Sequence, residues 1–273
     1  MNKYLVLVLF VIPTSIYTQN CEAFKYYGDT LQYEACKFIQ KTKRHYQFSR
    51  EYQEKYDKAI NICPYFSTAF HAKSVAYLKS GDFLTWKILI DKAVEFKPEG
   101  YLGYRGWCRY QFFRDYDGAI ADFERLDSLV NNNIGYSASG EYQLNIAKAI
   151  CYKAIGQNGK AIEIIEKQLI DKDHVLGMYD YFHLGVLYLE GGDYRKAIDA
   201  LALQIEENEL ADVHFYSALC HKELDQIELY IKHLEIAKNL YLEGRKAFDA
   251  YTHIYDKVYL KEIEKELKLA KSL

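Results

Sequence analysis

The chain has 273 residues, half of them apolar and 16% aromatic, with only three prolines, so it can bury a continuous core without metal or a dense disulfide framework. A formal charge of −3 at pH 7 excludes phosphate-backbone binding as the main activity, and no nucleic-acid partner is expected. The basic run Lys41, Lys43, Arg44 and His45 reads as a solvated helix face.

Residues 1–18 open with Lys3, run apolar from Tyr4 to Ile12 and break at Pro13 before Thr14, Ser15 and Thr18, the order of a signal peptide cut near Thr18/Gln19. This stretch is shorter than the ~20 residues that span a bilayer, so export to a periplasm or to the medium is expected rather than a retained anchor. Cys21 follows at once. Acylated there, the chain would be an outer-membrane lipoprotein, and membrane association is expected only in that case; Thr18, Gln19 and Asn20 are not the usual processing signal. In an oxidising compartment, a Cys21 to Cys36 disulfide would staple the N-terminal lead-in segment, residues 19–32, onto the first helix. Spacing alone does not fix that connectivity. Cys108, Cys151 and Cys220 have core-like neighbours in predicted helices and read as buried free thiols.

Beyond the lead-in, one pattern recurs about every 34 residues. Its clearest copy spans 178–211: Tyr181, Leu184, Gly185, Tyr188, a Gly192-Asp193-Tyr194 turn, then Ala197, Ile198 and Leu201. Gly185 and Ala197 are small where two paired helices must approach, and Tyr188 and Leu201 fill the space around them. The copy at 67–100 carries Phe70, Ser74, Tyr77, Gly81, Asp82, Ala93 and Pro98, but has Trp86 at a site that calls for alanine, so local repacking is expected. Residues 100–133 carry Tyr110, Tyr116, Ala119 and Phe123, with Trp107 at a normally small site; residues 142–175 carry Ala149, Tyr152, Gly156, Ala161 and Ile165. The copies at 33–66 and 211–244 are degenerate, as terminal repeats usually are. Between the third and fourth copies, the Gly- and Ser-rich residues 134–141 suggest an elbow or the lip of a groove. After Gly244, the stripe Phe248, Tyr251, Tyr255, Val258 leading into a charged run predicts a capping helix over 245–273.

The Tyr181, Leu184-Gly185, Tyr188, Gly192-Asp193-Tyr194, Ala197, Leu201 pattern resembles the tetratricopeptide repeat (TPR) family. The resemblance implies an all-α fold, a right-handed superhelical solenoid of about six TPR-like hairpins with a C-terminal capping helix. It also implies that the first helices line a concave groove for a partner segment. Carried onto this sequence, the partner-binding groove residues are Tyr104, Phe112, Ile146, Lys153, Phe182, Val186 and Phe215. His71, Val75 and Lys79 stand at equivalent places in an earlier copy. This lining is apolar and aromatic, and it does not match the family's cationic clamp for a partner's terminal carboxylate.

Enzyme signals are poor: the sequence holds no paired-histidine zinc motif, no Gly-x-Ser-x-Gly elbow and no phosphate loop. His214 and His221 stand seven apart, too far to chelate one ion unaided, and neither a metal nor another cofactor is expected. The expected function is a non-catalytic scaffold or adaptor in the cell envelope or secreted space, monomeric or a weak homo-oligomer, whose partner is another exported protein or peptide segment. One alternative is an outer-membrane assembly or surface-complex lipoprotein subunit. A second is an envelope hydrolase with a site built from several hairpins around His183 and His214.

Overall fold

The computed structural model describes residues 20–130, 133–138, 140 and 142–273. The leader expected over 1–18 lies outside them. Among the described residues the regular structure is helical, apart from one isolated antiparallel bridge between Tyr136 and Gln143. The described residues divide into two compact units, one ending at Lys97 and one beginning at Pro98. No helix among the described residues is long and apolar enough to cross a membrane.

The first unit contains α1 (Cys21–Tyr26), α2 (Thr30–Lys41), α3 (Arg50–Ile62), α4 (Ser67–Ser80) and α5 (Phe83–Phe96), each packed on the next. Short polar caps start three of them. Asp29, Ser49 and Asp82 accept hydrogen bonds from the backbone N–H groups of Gln32, Tyr52 and Thr85 at 2.9, 3.2 and 3.1 Å, which satisfies donors that the first turn leaves open. Trp86 is buried, and so are the small Ser74 and Ala93 of the same hairpin, so the indole is absorbed inside the pair.

In this unit the structure joins Cys21 to Cys36, with Cα atoms 5.6 Å apart. Both belong to a cluster with Ala35, Ala59, Cys63, Phe66 and Ala69, so the lead-in segment is packed as well as bridged. A bridge across a separation of 15 residues restricts the unfolded chain by about 3 kcal/mol. Reduction with dithiothreitol is therefore expected to lower the melting temperature of this unit by several degrees. A melt unchanged by the reductant would show that these thiols are not joined.

The second unit contains α6 (Pro98–Cys108), which runs on as a π turn over Arg109–Phe113, then α7 (Tyr116–Val130), α8 (Leu144–Ala154), α9 (Asn158–Ile170), α10 (Asp180–Glu190), α11 (Tyr194–Glu207), α12 (Ala211–Glu223), α13 (Ile227–Leu242) and α14 (Leu260–Ala270). Four hairpins result: α6/α7, α8/α9, α10/α11 and α12/α13. Their first helices touch in sequence, α6 to α8 to α10 to α12, and form one row. The second helices α7, α9 and α11 each pack on the first helix of the following hairpin. Each hairpin thereby covers an apolar face that its neighbour could not bury alone.

Sequence features account for the joints. Gly192, at φ +80°, makes the turn between α10 and α11, and Asp193 caps α11 by accepting from Lys196 N at 3.3 Å. In the α6/α7 hairpin, a Cβ on Gly106 would meet Phe123 Cε1 at 2.8 Å, so the helices make their close approach there. Trp107 is buried beside Tyr110 and Tyr142, its ring centroid 5.4 and 5.5 Å from theirs. The tryptophan fits because the small residue stands one position earlier. The expected elbow at 134–141 is tied back to the body: Leu144 N donates to Gly135 O at 2.8 Å and Val175 N to Tyr136 Oη at 3.2 Å.

The C-terminus corrects the sequence reading. A helix over 245–273 was expected, but only Leu260–Ala270 is helical, packed on α13. Residues 243–259 are irregular. Asp249 Oδ1 accepts from the backbone N–H groups of Tyr251 and Thr252 at 2.7 and 2.8 Å, a local turn that takes donors a helix would need. Thr252, Ile254 and Val258 are also β-branched, with weak helix propensity.

Candidate functional site

The irregular segment lies on the row of first helices. Residues 247–258 leave and return at one carboxylate: Asp212, on α12 and fully buried, accepts from Ala247 N through Oδ2 and from Val258 N through Oδ1, both at 2.8 Å. Burial outweighs these two amide bonds and holds the Asp212 pKa above the usual carboxylate range. Between the two ends the chain makes an Ω-loop, here termed the plug. Tyr179 Oη, at the start of α10, bonds both the N–H and the carbonyl of Phe248, each at 3.3 Å. At the far end Gln111 Nε2 donates to Asp249 Oδ2 at 2.9 Å, and Arg114 donates to the His253 carbonyl. Ala247, Ile254 and Val258 are buried, whereas Phe248 and Tyr251 face solvent. With Lys153 of α8 included, the plug touches all four hairpins of the unit, with few buried apolar anchors and many polar ones.

Between these ends lies a buried ionic contact. Asp256 Oδ1 lies 2.6 Å from Lys153 Nζ, and Oδ2 lies 3.1 Å from His183 Nδ1; the three side chains are 6%, 3% and 0% exposed. Lys153 also meets Glu190 Oε1 at 3.0 Å. Burial alone would raise the Asp256 pKa, but the His183 hydrogen bond and the Lys153 charge overcome it and hold the carboxyl below its ordinary range. Because a carboxylate only accepts, His183 carries its proton on Nδ1, which leaves Nε2 to accept from Tyr142 Oη at 3.4 Å. Asp256 has φ +66°, a left-handed conformation unusual for a residue with a side chain. The ion pair holds it there.

The structure places the seven expected groove residues differently from an open wall. Ile146, Phe182, Val186, Lys153 and Phe215 are all buried. Phe215 packs with Val258 of the plug in one core cluster, and Lys153 is sealed by Asp256. Tyr104 is half-buried, and Phe112 is 39% exposed because the π turn adds a residue to its helix and turns it outward. The polar residues that meet the plug, Gln111, Tyr179, His183 and Asp212, were not among the seven. An aspartate inside the aromatic and β-branched run 251–259 was the available signal, since such a run is a poor helix and a buried acid needs a partner.

The histidines of the hydrolase alternative have separate partners. His183 bonds Asp256 and Tyr142, whereas His214 donates Nε2–H to Glu209 at 3.1 Å and accepts through Nδ1 from His233 Nδ1 at 3.0 Å. His233 stacks between His214 and His221, with ring centroids 5.1 and 5.0 Å away, and no metal-holding cluster is present among the described residues. Burial, aided by the neighbouring histidines, pushes the His233 pKa down to about 4, and burial also lowers His214. The unfolded chain thus binds more protons than the folded one between pH 6.5 and 4. The stability of this unit is expected to be intact above pH 6.5 and to fall with acidification by at most about 1.4 kcal/mol per pH unit for His233. Melts from pH 7 to 4.5 would read this slope; His233→Phe keeps the ring stack and should make it shallower, the His214 share remaining, and an equal slope in that variant would refute the assignment. The thiols of Cys108 and Cys220, each pushed up to about 12 by burial, stay protonated and unreactive.

A row of stacked helical hairpins bearing a bound irregular segment defines a helical-repeat protein. Residues 181–203 match the tetratricopeptide repeat family. Three solved structures share the fold: PilW, described as a widely conserved type IV pilus biogenesis factor (TM-score 0.55, 15% identity, covering 82% of this chain and 92% of that one), PilF from Pseudomonas aeruginosa (0.56, 14%, 81% and 94%), and YrrB, described as a TPR protein with an unusual peptide-binding site (0.55, 16%, 69% and 93%). No curated protein matches the sequence. Residues 181–203 thus carry a tetratricopeptide repeat, and the all-helical fold of the described residues is shared with solved TPR structures.

Proposed function

We propose that this chain is an exported, non-catalytic scaffold that holds a segment of another envelope or secreted protein on the first helices of its second unit. The observation that carries the reading is the plug itself: α8, α10, α12 and the π turn hold a non-helical segment through side-chain bonds to its backbone and through one buried ion pair. Such main-chain recognition suits an extended or looped peptide.

The leader supports an address outside the cytoplasm. The Cys21 to Cys36 pairing favours a soluble product over the lipoprotein, since an acylated sulfur has no valence left for a disulfide. Mass spectrometry of the mature protein from its native envelope is expected to show an N-terminus near Gln19 and no lipid on Cys21. Crosslinking of that protein in place is expected to join one dominant partner to the second unit. Full retention of residues 1–18 would overturn the export reading, and the absence of any crosslinked partner would overturn the scaffold.

A further inference from the structure

Three features of the second unit go unexplained by a simple open groove: the candidate binding face is covered, the covering segment is held by charge more than by apolar contact, and one of its residues sits in a strained backbone conformation. We propose that the plug is an intramolecular occupant of a site whose natural ligand is a partner segment carrying a carboxylate, seated between Lys153 and His183 where Asp256 now lies. The inference rests on the scaffold reading and adds to it the chemistry of the ligand and the fact that the site is closed in the free chain.

The argument for an acidic ligand is complementarity. Lys153 and His183 both point donors at one spot, and Gln111 and Arg114 present further donors to the tip of the plug. Were Asp256 simply to leave, Lys153 would keep only Glu190, and the His183 Nδ1–H would lose its acceptor. One carboxylate meets the ammonium and the N–H together, whereas a segment that covers them without one leaves Lys153 with Glu190 alone and takes from His183 its charged acceptor. The argument for a removable plug lies in how it is held. Its buried apolar anchors are Ala247, Ile254 and Val258, with Tyr255 edge-on to the Tyr116 ring; its rings at Phe248 and Tyr251 are in water, and no helix or strand hydrogen bonds tie residues 247–258 together. Segments of this kind open at lower free energy than the helices beneath them. The left-handed conformation at Asp256 relaxes when the segment leaves.

The test uses the full mature chain and a fluorescent peptide with the sequence of residues 245–259, which carries the carboxylate of interest. Against the Asp256→Ala chain, whose own plug has lost its ionic anchor, the peptide is expected to bind at least tenfold more tightly than against the wild-type chain. A control peptide with alanine in place of that aspartate should bind at least tenfold more weakly, and Lys153→Met in the Asp256→Ala chain should remove binding. Equal affinity for both chains, or no binding to a folded Asp256→Ala chain, would overturn the proposal. Dimerisation of the Asp256→Ala chain through exchanged plugs, without peptide binding, would make the occupant a second copy and overturn it as well. If Asp256→Ala fails to fold by circular dichroism, hydrogen exchange on the wild-type chain decides: amides of 247–258 are expected to exchange at least a hundredfold faster than those of α8 and α10, and equal protection would refute a removable plug. A partner crosslinked to the first helices away from Lys153 and His183 would sink this proposal while leaving the scaffold reading intact.

Discussion

Replacing Gly185 by valine is expected to destabilise the second unit by about 3 kcal/mol or more, among the largest effects of any single change in this protein. A Cβ at this position would sit 2.6 Å from Leu201 Cγ and 2.7 Å from its Cδ2, with the Ala197 carbonyl at 3.4 Å behind. Leu201 and Ala197 are fully buried, so the leucine has nowhere to swing and α10 must move off α11. Alanine alone tests the point with less damage. In an open helical site it would gain up to ~1 kcal/mol over glycine, and Gly159, in the first turn of α9 with nothing within 4 Å, is such a site. Gly159→Ala should therefore raise the melting temperature and Gly185→Ala should lower it. Equal behaviour of the two alanine variants would refute the close contact.

Asp212→Ala should produce the second large effect, confined to a different part of the molecule. The carboxylate bonds Ala247 N and Val258 N, both buried, and each buried N–H left without an acceptor costs about 1–3 kcal/mol. Both losses fall on the two ends of the plug, and the hairpins depend on neither bond. The plug is expected to open while the helices remain. Hydrogen exchange at 247–258 should accelerate sharply with the far-ultraviolet circular dichroism preserved, and Asp212→Asn, which keeps one acceptor, should lie between. Unchanged protection of Ala247 and Val258 would show that Asp212 does not hold the loop, and a collapse of helix content would show that it holds far more.

These two sites differ in how far the sequence discloses them. Gly185 is legible because the helix approach, the turn at Gly192 and the filling residues Tyr188 and Leu201 are all encoded within one repeat, and each is a local demand for size or backbone freedom. Asp212 is a single acid near the start of a helix, where its neighbours give it no special meaning; its partners lie 35 and 46 residues away. The stripe Phe248, Tyr251, Tyr255, Val258 misleads for a related reason. Its spacing of three and four is that of a helix face, and periodicity alone cannot register that Asp249 and Asp212 take the backbone donors such a helix would need. Lys153 was legible as a residue facing the row, but the acid that covers it comes from more than a hundred residues downstream. First-helix spacing marks a face and carries no record of what later folds over it.

That order in the chain has a consequence in time. The far end of the plug pairs Gln111 with Asp249 and Arg114 with His253, partners 138 and 139 residues apart. Such distant contacts form late, after the local hairpins that present their docking side chains. A growing chain that has delivered α12 and α13 but not residues 247–258 carries its first helices bare, with Lys153 and His183 open to solvent. For that interval, and in any product cut near Gly244, the row is open to an acidic segment that the finished chain would have to be unlatched to accept.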